Sequence, residues 1–102
     1  MKYMVDVTFV PGQQEAIAAL LPAERAHVRR LLEQGVMDRI HIAADRSHIW
    51  VAVNGETQDD IRHTMSELPL YPYMQLEYTP LLDIEAERGG NLVAVTDERR
   101  AE

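Results

Sequence analysis

The sequence predicts one α+β domain with an antiparallel β-sheet that has an apolar face and a polar face. The length of 102 residues and the hydrophobic content of 46% are those of a single globular domain. Four segments alternate apolar and polar side chains as strands do, and two segments between them have the spacing of helices. The resulting order, βαββαβ, is typical of a sheet with both helices packed on one face.

The first strand and the first helix occupy the N-terminal third of the chain. Residues 3 to 9 alternate apolar and polar side chains and predict the first strand. Residues 13 to 34 have helical spacing and end before Gly35, a residue suited to positive φ after a helix. Because proline disrupts a helix interior but fits the first position, we expect Pro22 to end a short helix near 13 to 20 and to begin the main helix.

The middle of the chain is predicted to form a β-hairpin. Apolar side chains alternate in residues 40 to 43 and again in residues 48 to 53. A register that sets His41 opposite His48 places both apolar sets on one face, as does any register with an odd sum of paired residue numbers. The turn of residues 44 to 47 contains no glycine.

A second helix and a fourth strand complete the predicted domain. Thr57 and Asp60 have the spacing of a capping box, and Pro69 ends the helix that follows them. Residues 74 to 79 alternate again and predict the fourth strand.

The second face of this sheet is too polar for a core, and it carries a tryptophan and several ionisable groups. We expect it either to be an ordinary exposed surface or to be closed by a partner sheet around a wet cavity. Its residues are Met4, Asp6, Thr8, His41, His48, Trp50, Gln75 and Glu77.

Composition and patterning narrow the class of function. The formal net charge of −7, without a basic stripe, argues against nucleic acid as a partner, and the absence of cysteine excludes thiolate chemistry. No secretory leader and no apolar stretch of about 20 residues is present, so we expect a cytoplasmic protein without a membrane role. Asp6, His41, His48 and Glu77 lack the spacing of a metal motif, and no metal or other cofactor is predicted.

Residues 68 to 74, Leu-Pro-Leu-Tyr-Pro-Tyr-Met, resemble a signature of the muconolactone Δ-isomerase family. Gly35, Arg46 and Glu24 also fall on positions where that family has glycine, a basic residue and glutamate. The resemblance covers about residues 1 to 82. It implies a ferredoxin-like domain that forms a dimeric α+β barrel, often in larger rings. The family moves a proton within an unsaturated lactone acid during aromatic catabolism, without a metal or organic cofactor.

The sequence also departs from the family pattern. Asp45 replaces a usual glycine, His41 a tryptophan and Ile49 an asparagine, and the His-Pro after the final strand is absent. Two other functions therefore stay open: a tailoring enzyme, either a cyclase or a cofactor-free monooxygenase for polycyclic aromatic or polyketide substrates, and a non-catalytic binding or assembly module. A tail of residues 83 to 102 follows the domain of residues 1 to 82. We expect it to form a further strand or to pack on a neighbouring subunit.

The first catalytic candidate is Glu24, which lies in the middle of the apolar stripe of the first helix. Burial there would raise the pKa of its carboxyl group and make it a useful general base. The alternative is a carboxylate that caps the helix or pairs with an arginine. His27 on the same side of the helix, or His48 on the sheet, is expected to assist proton transfer, although His27 also fits an ordinary helix surface.

The remaining candidates would bind a small-molecule substrate. Arg46 in the hairpin turn can receive a carboxylate, and Trp50 offers a wall for a flat ring. Alternatively, Arg46 is an ordinary solvated residue of the turn, and Trp50 packs in the core or at an interface. His41, Asp6 and Glu77 would line the pocket, while Tyr71 or Tyr73 would contribute a hydroxyl group or pack in the core. Because one small domain encloses little space, we expect a homodimer or a larger homo-oligomer.

Overall fold

The computed structural model describes residues 1–82, which form a four-stranded antiparallel sheet and two α-helices. The spatial order of the strands is β2-β3-β1-β4. This confirms the predicted α+β, ferredoxin-like arrangement, whereas the tail of residues 83 to 102 lies outside the described residues. The elements are β1 (Lys2–Phe9), α1 (Gln14–Glu33), β2 (Met37–Ile42), β3 (Ile49–Asn54), α2 (Gln58–Ser66), a 3-10 helix (Tyr71–Tyr73) and β4 (Met74–Leu81).

The hydrophobic core lies between the helices and one face of the sheet. Every second residue of the central strands points into it, as the alternation predicts, because that arrangement removes the apolar half of each strand from water. Both helices contribute, so both cover the same face, and the sheet's second face is left to the polar half of each strand. The buried cluster consists of Tyr3, Val5, Val7, Leu31, Met37, Val51, Val53, Ile61, Met65 and Leu68.

Helix α1 runs without interruption through Pro22, so the predicted division into two helices is wrong. A proline inside a helix removes one backbone hydrogen bond, at a cost of about 3 kcal/mol. Here Pro22 is exposed, while Glu24 and Leu31 beyond it are buried in phase with the half-buried Ile17 before it. Packing on both sides of the proline therefore holds the two halves in one helix. Gly35 follows the helix with a φ of 76°, as expected.

The hairpin has a register in which His41 lies opposite Trp50, so the predicted pairing of His41 with His48 is wrong. The predicted pairing needs a two-residue turn, which favours glycine at positive φ, and this segment has none. The chain instead uses a four-residue loop closed by a 2.9 Å hydrogen bond from the Ala43 N–H to the His48 carbonyl. Within it only Arg46 adopts positive φ, at 65°. The observed sum of paired numbers is still odd, so the shared faces are as predicted.

Strand β2 contains a bulge between Met37 and Arg39. Met37 faces the core opposite Val53, whereas Arg39 pairs with Ala52 on the other face. Asp38 is the extra residue: its carboxylate pairs with the Lys2 ammonium and accepts a 3.0 Å hydrogen bond from the Asn54 amide. The bulge resets the alternation, so that Arg39 and His41 both point away from the helices.

Helix α2 begins at the predicted capping box. The Thr57 hydroxyl accepts the Asp60 N–H at 3.1 Å, and the Asp60 carboxylate accepts the Thr57 N–H at the same distance. These bonds satisfy backbone donors that the first turn leaves unpaired. Within residues 1–82, neither α1 nor α2 is long and apolar enough to cross a membrane.

Candidate functional site

The polar face of the sheet is called here the open face, because no element of residues 1–82 covers it. Strand pairing brings one residue from each strand into a row across the sheet: His41, Trp50, Asp6 and Glu77 are neighbours in that order. The predicted alternation therefore places these four side chains together. The open face comprises Lys2, Met4, Asp6, Thr8, Arg39, His41, His48, Trp50, Ala52, Asn54, Gln75, Glu77, Thr79 and Leu81.

The Asp6 carboxylate and the His48 imidazole form a pair on the open face. Asp6 Oδ1 lies 2.9 Å from His48 Nδ1, and the two side chains are 31% and 42% exposed. The His48 ring stacks on Trp50 with 5.4 Å between centroids and 7° between planes. When Nδ1 carries the proton it donates to Asp6, and Nε2 then presents a free lone pair. Such an oriented imidazole can accept and return a proton.

A depression of about 300 Å³ lies beside this pair. Inside it the Thr8 hydroxyl donates a 3.1 Å hydrogen bond to the Gln75 amide oxygen, which leaves the Gln75 NH2 group to donate to a ligand. The pocket thus combines a base with a hydrogen-bond donor. Its lining residues are Asp6, Thr8, His48, Gln75, Leu76 and Glu77.

A second depression, of about 310 Å³, lies on the β2 side of the open face. Asp38 at its rim has a pKa below its ordinary value, chiefly because Lys2 bonds to its carboxylate. Its lining residues are Lys2, Met4, Asp38, Arg39, His41 and Ala52.

Glu24 lies on the helix side of the sheet and is only 8% exposed. Its Oε1 accepts a 2.9 Å hydrogen bond from the Leu70 backbone N–H. Burial raises the pKa of the Glu24 carboxyl, and it outweighs the opposing effects of the Leu70 N–H and of the nearby His27. This is the direction expected from a carboxylate in an apolar stripe. His27 itself lies with Nδ1 3.3 Å from an Arg30 guanidinium nitrogen.

The predicted catalytic residues therefore fall into two groups that the sheet separates. Glu24 and His27 lie on the helix side, away from the six-residue pocket around Asp6 and His48. Tyr71 packs against the core, and the Tyr73 carbonyl accepts the Val10 N–H at 2.9 Å.

Arg46 is exposed in the hairpin turn and lines neither depression. The turn is held by Asp45, whose carboxylate accepts bonds of 2.9 Å and 2.6 Å from the Ser47 N–H and hydroxyl. These bonds lower the pKa of Asp45.

Sequence reasoning gave no role to Thr8, Gln75 or Arg39. The alternation already placed Thr8 and Gln75 on the open face, and their mutual hydrogen bond is what singles them out. Arg39 was missed because the strand was predicted to begin at Ile40, after the bulge. In the part of the chain that the structure describes, no three His, Asp or Glu side chains are grouped as metal ligands are.

Comparison with known proteins agrees with the resemblance seen in the sequence. A family model described as muconolactone delta-isomerase matches residues 1–86. No curated protein matches the chain. The family match supports an isomerase-type enzyme or a related function on small molecules.

Proposed function

Because the chain belongs to the muconolactone delta-isomerase family, we propose that it is a cofactor-independent isomerase. It shifts a proton and a double bond in an unsaturated lactone or a related small cyclic acid of aromatic catabolism. The observation that carries this proposal is the Asp6–His48 pair beside Trp50, which supplies an oriented base on the open face.

The reaction needs a base, a proton return and a donor to the enolate oxygen. His48 Nε2 removes a proton from a carbon activated by the lactone carbonyl, and the Asp6 carboxylate stabilises the imidazolium that forms. The Gln75 NH2 group donates to the enolate oxygen. The imidazolium then returns the proton to another carbon of the conjugated system. The double bond moves, and the product has the composition of the substrate.

Trp50 supports this chemistry through its stack with His48. The nearly parallel rings restrict rotation of the imidazole and keep Nε2 directed at the ligand. The indole also gives a flat substrate ring an apolar surface on an otherwise polar face.

Glu24 is the alternative base for the same reaction. Its raised pKa is a property of general-base carboxylates. Its use would require the substrate to enter between the helices and the sheet, because the side chain is buried there and bonded to Leu70. The two bases are therefore alternatives with different substrate positions.

The test is the double-bond shift itself. Purified protein is incubated with muconolactone and related unsaturated lactone acids in D2O, and NMR follows loss of substrate and deuterium incorporation. We expect turnover by the wild type and by Glu24→Gln, and its loss in His48→Gln. Loss of turnover in Glu24→Gln but not in His48→Gln would identify Glu24, on the helix side, as the base. Absence of turnover with every lactone would reject the isomerase.

A tailoring enzyme for larger aromatic substrates is the second candidate. It is favoured by the stacked His48 and Trp50 rings, which suit a flat polycycle, and by His41 at a position where the family has tryptophan. Oxygen consumption with anthrones and hydroquinones would identify the monooxygenase, and ring closure of a polyketide would identify the cyclase. A non-catalytic module would be favoured if side chains filled the open face, whereas within residues 1–82 this face carries depressions of about 310 and 300 Å³.

We also propose that a second copy covers the open face in a homodimer or larger homo-oligomer. A partly exposed pair such as Asp6 and His48 is better shielded from water when a second sheet faces it. Light scattering of the purified chain gives the oligomer mass. A monomer with full activity would contradict this arrangement.

A further inference from the structure

The geometry points to Arg39 as the anchor for a substrate carboxylate, in the depression over Ala52. This inference rests on the proposed function, because it orients the same substrate on the same face. The anchor is a specificity-determining contact, separate from the group that moves the proton.

The depression over Ala52 has the shape and the charge of a carboxylate site. Ala52 provides a small side chain at its floor, and the volume of about 310 Å³ admits the acidic arm of a small ligand. Its lining contains two cationic side chains, Lys2 and Arg39, and one carboxylate, that of Asp38. Lys2 pairs with that carboxylate.

Arg39 has the donors that a carboxylate needs. Its side chain forms no hydrogen bond and no ion pair with any other residue of the described range 1–82. A guanidinium group presents a planar fork that binds both oxygens of a carboxylate. His41, two residues further along β2, lines the same depression and adds a ring nitrogen.

The two depressions of the open face have opposite charge. The pocket of the base carries the carboxylates of Asp6 and Glu77, which repel an anionic group. The depression over Ala52 carries an excess of positive charge from Arg39. An acid on this face is therefore oriented with its carboxylate towards Arg39 and its ring towards His48.

The spacing of the rows on the open face sets the distance that the substrate has to bridge. Met4 lies opposite Ala52, and Asp6 lies opposite Trp50, so the two rows are two residues apart. Two residues of a strand span about 7 Å. His48 lies one row further, four residues from Ala52 and about 13 Å in the direction of β3, and its ring contacts Asp6 and Trp50 in the row between. The substrate therefore has to bridge between one and two rows from the Arg39 guanidinium to the His48 ring.

The kinetic test compares an acid with its methyl ester. In Arg39→Gln we expect KM for the lactone acid to rise about 10- to 100-fold with little change in kcat, while KM for the ester stays unchanged. Arg39→Lys keeps the charge and should recover part of the affinity. The matched control is Arg29→Gln on the exposed side of α1, which should leave both substrates unaffected. Equal acid-to-ester preference in wild type and Arg39→Gln would overturn the inference, as would loss of the preference in Arg46→Gln instead.

A binding test does not depend on turnover. Phenylacetate, a flat ring with a carboxylate arm, should shift the amide NMR signals of Met4 and Ala52 in the wild type but not in Arg39→Gln. Phenylacetamide, which has no charge, should not shift them in either protein. Arg39-dependent binding without lactone turnover would reject the isomerase and keep the anchor. Turnover without Arg39-dependent binding or acid preference would reject the anchor and keep the isomerase.

Discussion

The two sides of the sheet each hold an acid–base group, and the two groups are stabilised in different ways. On the open face, Asp6 and His48 are partly exposed and hydrogen-bonded to each other. On the helix side, Glu24 is 8% exposed and has a backbone N–H as its hydrogen-bond partner.

This difference separates two properties that are often taken together as signs of a catalytic group. Burial raises the pKa of Glu24 and also limits access to it. The Asp6–His48 pair has access and orientation, with a stacked ring that limits its movement. Because proton transfer needs contact with the substrate, we propose the more accessible group, His48, as the base, and mutation of each group should have a different readout.

The largest expected effect is that of His48→Gln on kcat. Removing a general base costs about 100- to 10,000-fold, and His48 is exposed enough that the fold should be retained. Steady-state kinetics with the lactone acid measure this loss. The matched control is His63→Gln, since His63 also faces a carboxylate, Glu67 at 3.3 Å, but lies on helix α2. Equal kcat in the two variants would contradict the assignment of the base.

Asp6→Asn should reduce kcat less, by about 10- to 100-fold. The asparagine keeps the size of the side chain but loses the charge that stabilises the imidazolium of His48. The same assay measures the loss. Asp59→Asn, which breaks a 2.8 Å ion pair with Arg62 on α2, is the control and should leave kcat unchanged. A wild-type kcat in Asp6→Asn would show that His48 acts as a base without help from the Asp6 carboxylate.

Glu24 variants should change stability more than catalysis. Glu24→Ala leaves the Leu70 N–H buried without an acceptor and should lower the free energy of unfolding by about 1–3 kcal/mol. Glu24→Gln retains an amide oxygen for that N–H and should avoid this loss. Urea unfolding of the two variants measures the difference. Equal destabilisation by both would show that the charge, rather than the hydrogen bond, matters.

Comparison of the wild type with Glu24→Gln should show a pH dependence of stability whose sign follows from the raised pKa of Glu24. The pKa of Glu24 in the folded chain is raised above the ordinary value of 4.5, so folding favours the protonated form. Its contribution to stability is complete below that ordinary value and is lost as the pH rises through the folded-state pKa. Relative to Glu24→Gln, the wild type should therefore lose stability as the pH rises above 4.5. A constant difference between the two proteins would contradict the raised pKa.

The smallest expected effect is that Arg46→Gly raises the free energy of unfolding by about 1 kcal/mol. Arg46 adopts a φ of 65°, which is costly for a residue with a Cβ and ordinary for glycine. Amide exchange of the Ala43 N–H, which closes the hairpin turn onto the His48 carbonyl, should slow accordingly. Arg46→Ala removes the side chain without relieving the backbone, so it should give no gain. Stabilisation by both variants would assign the effect to the arginine side chain instead.

Much of the open face could be predicted from the sequence, because a period of two fixes which side chains share a face whatever the register. That rule alone places Asp6, His48 and Trp50 on one face of the sheet. It could not give the contact between Asp6 and His48, which depends on the loop at Arg46 and on a register set by that loop. Local spacing also could not detect the bulge before Arg39.

The helix side was predicted in part for a similar reason. Helical spacing placed Glu24 in the buried stripe, but its partner, the Leu70 N–H, lies 46 residues away in sequence. The prediction at Pro22 failed because propensity rules describe an isolated helix, whereas tertiary packing on both sides of the proline decided the outcome.

The bulge at Asp38 also affects how the length of this strand can vary in evolution. Deleting a residue within β2 after the bulge reverses the direction of every side chain on one side of the deletion. Deleting Asp38 instead restores a regular strand, in which Met37 still faces the core and Arg39 the opposite side. Position 38 is thus the place in β2 where a codon can be gained or lost without exchanging the two faces of the sheet.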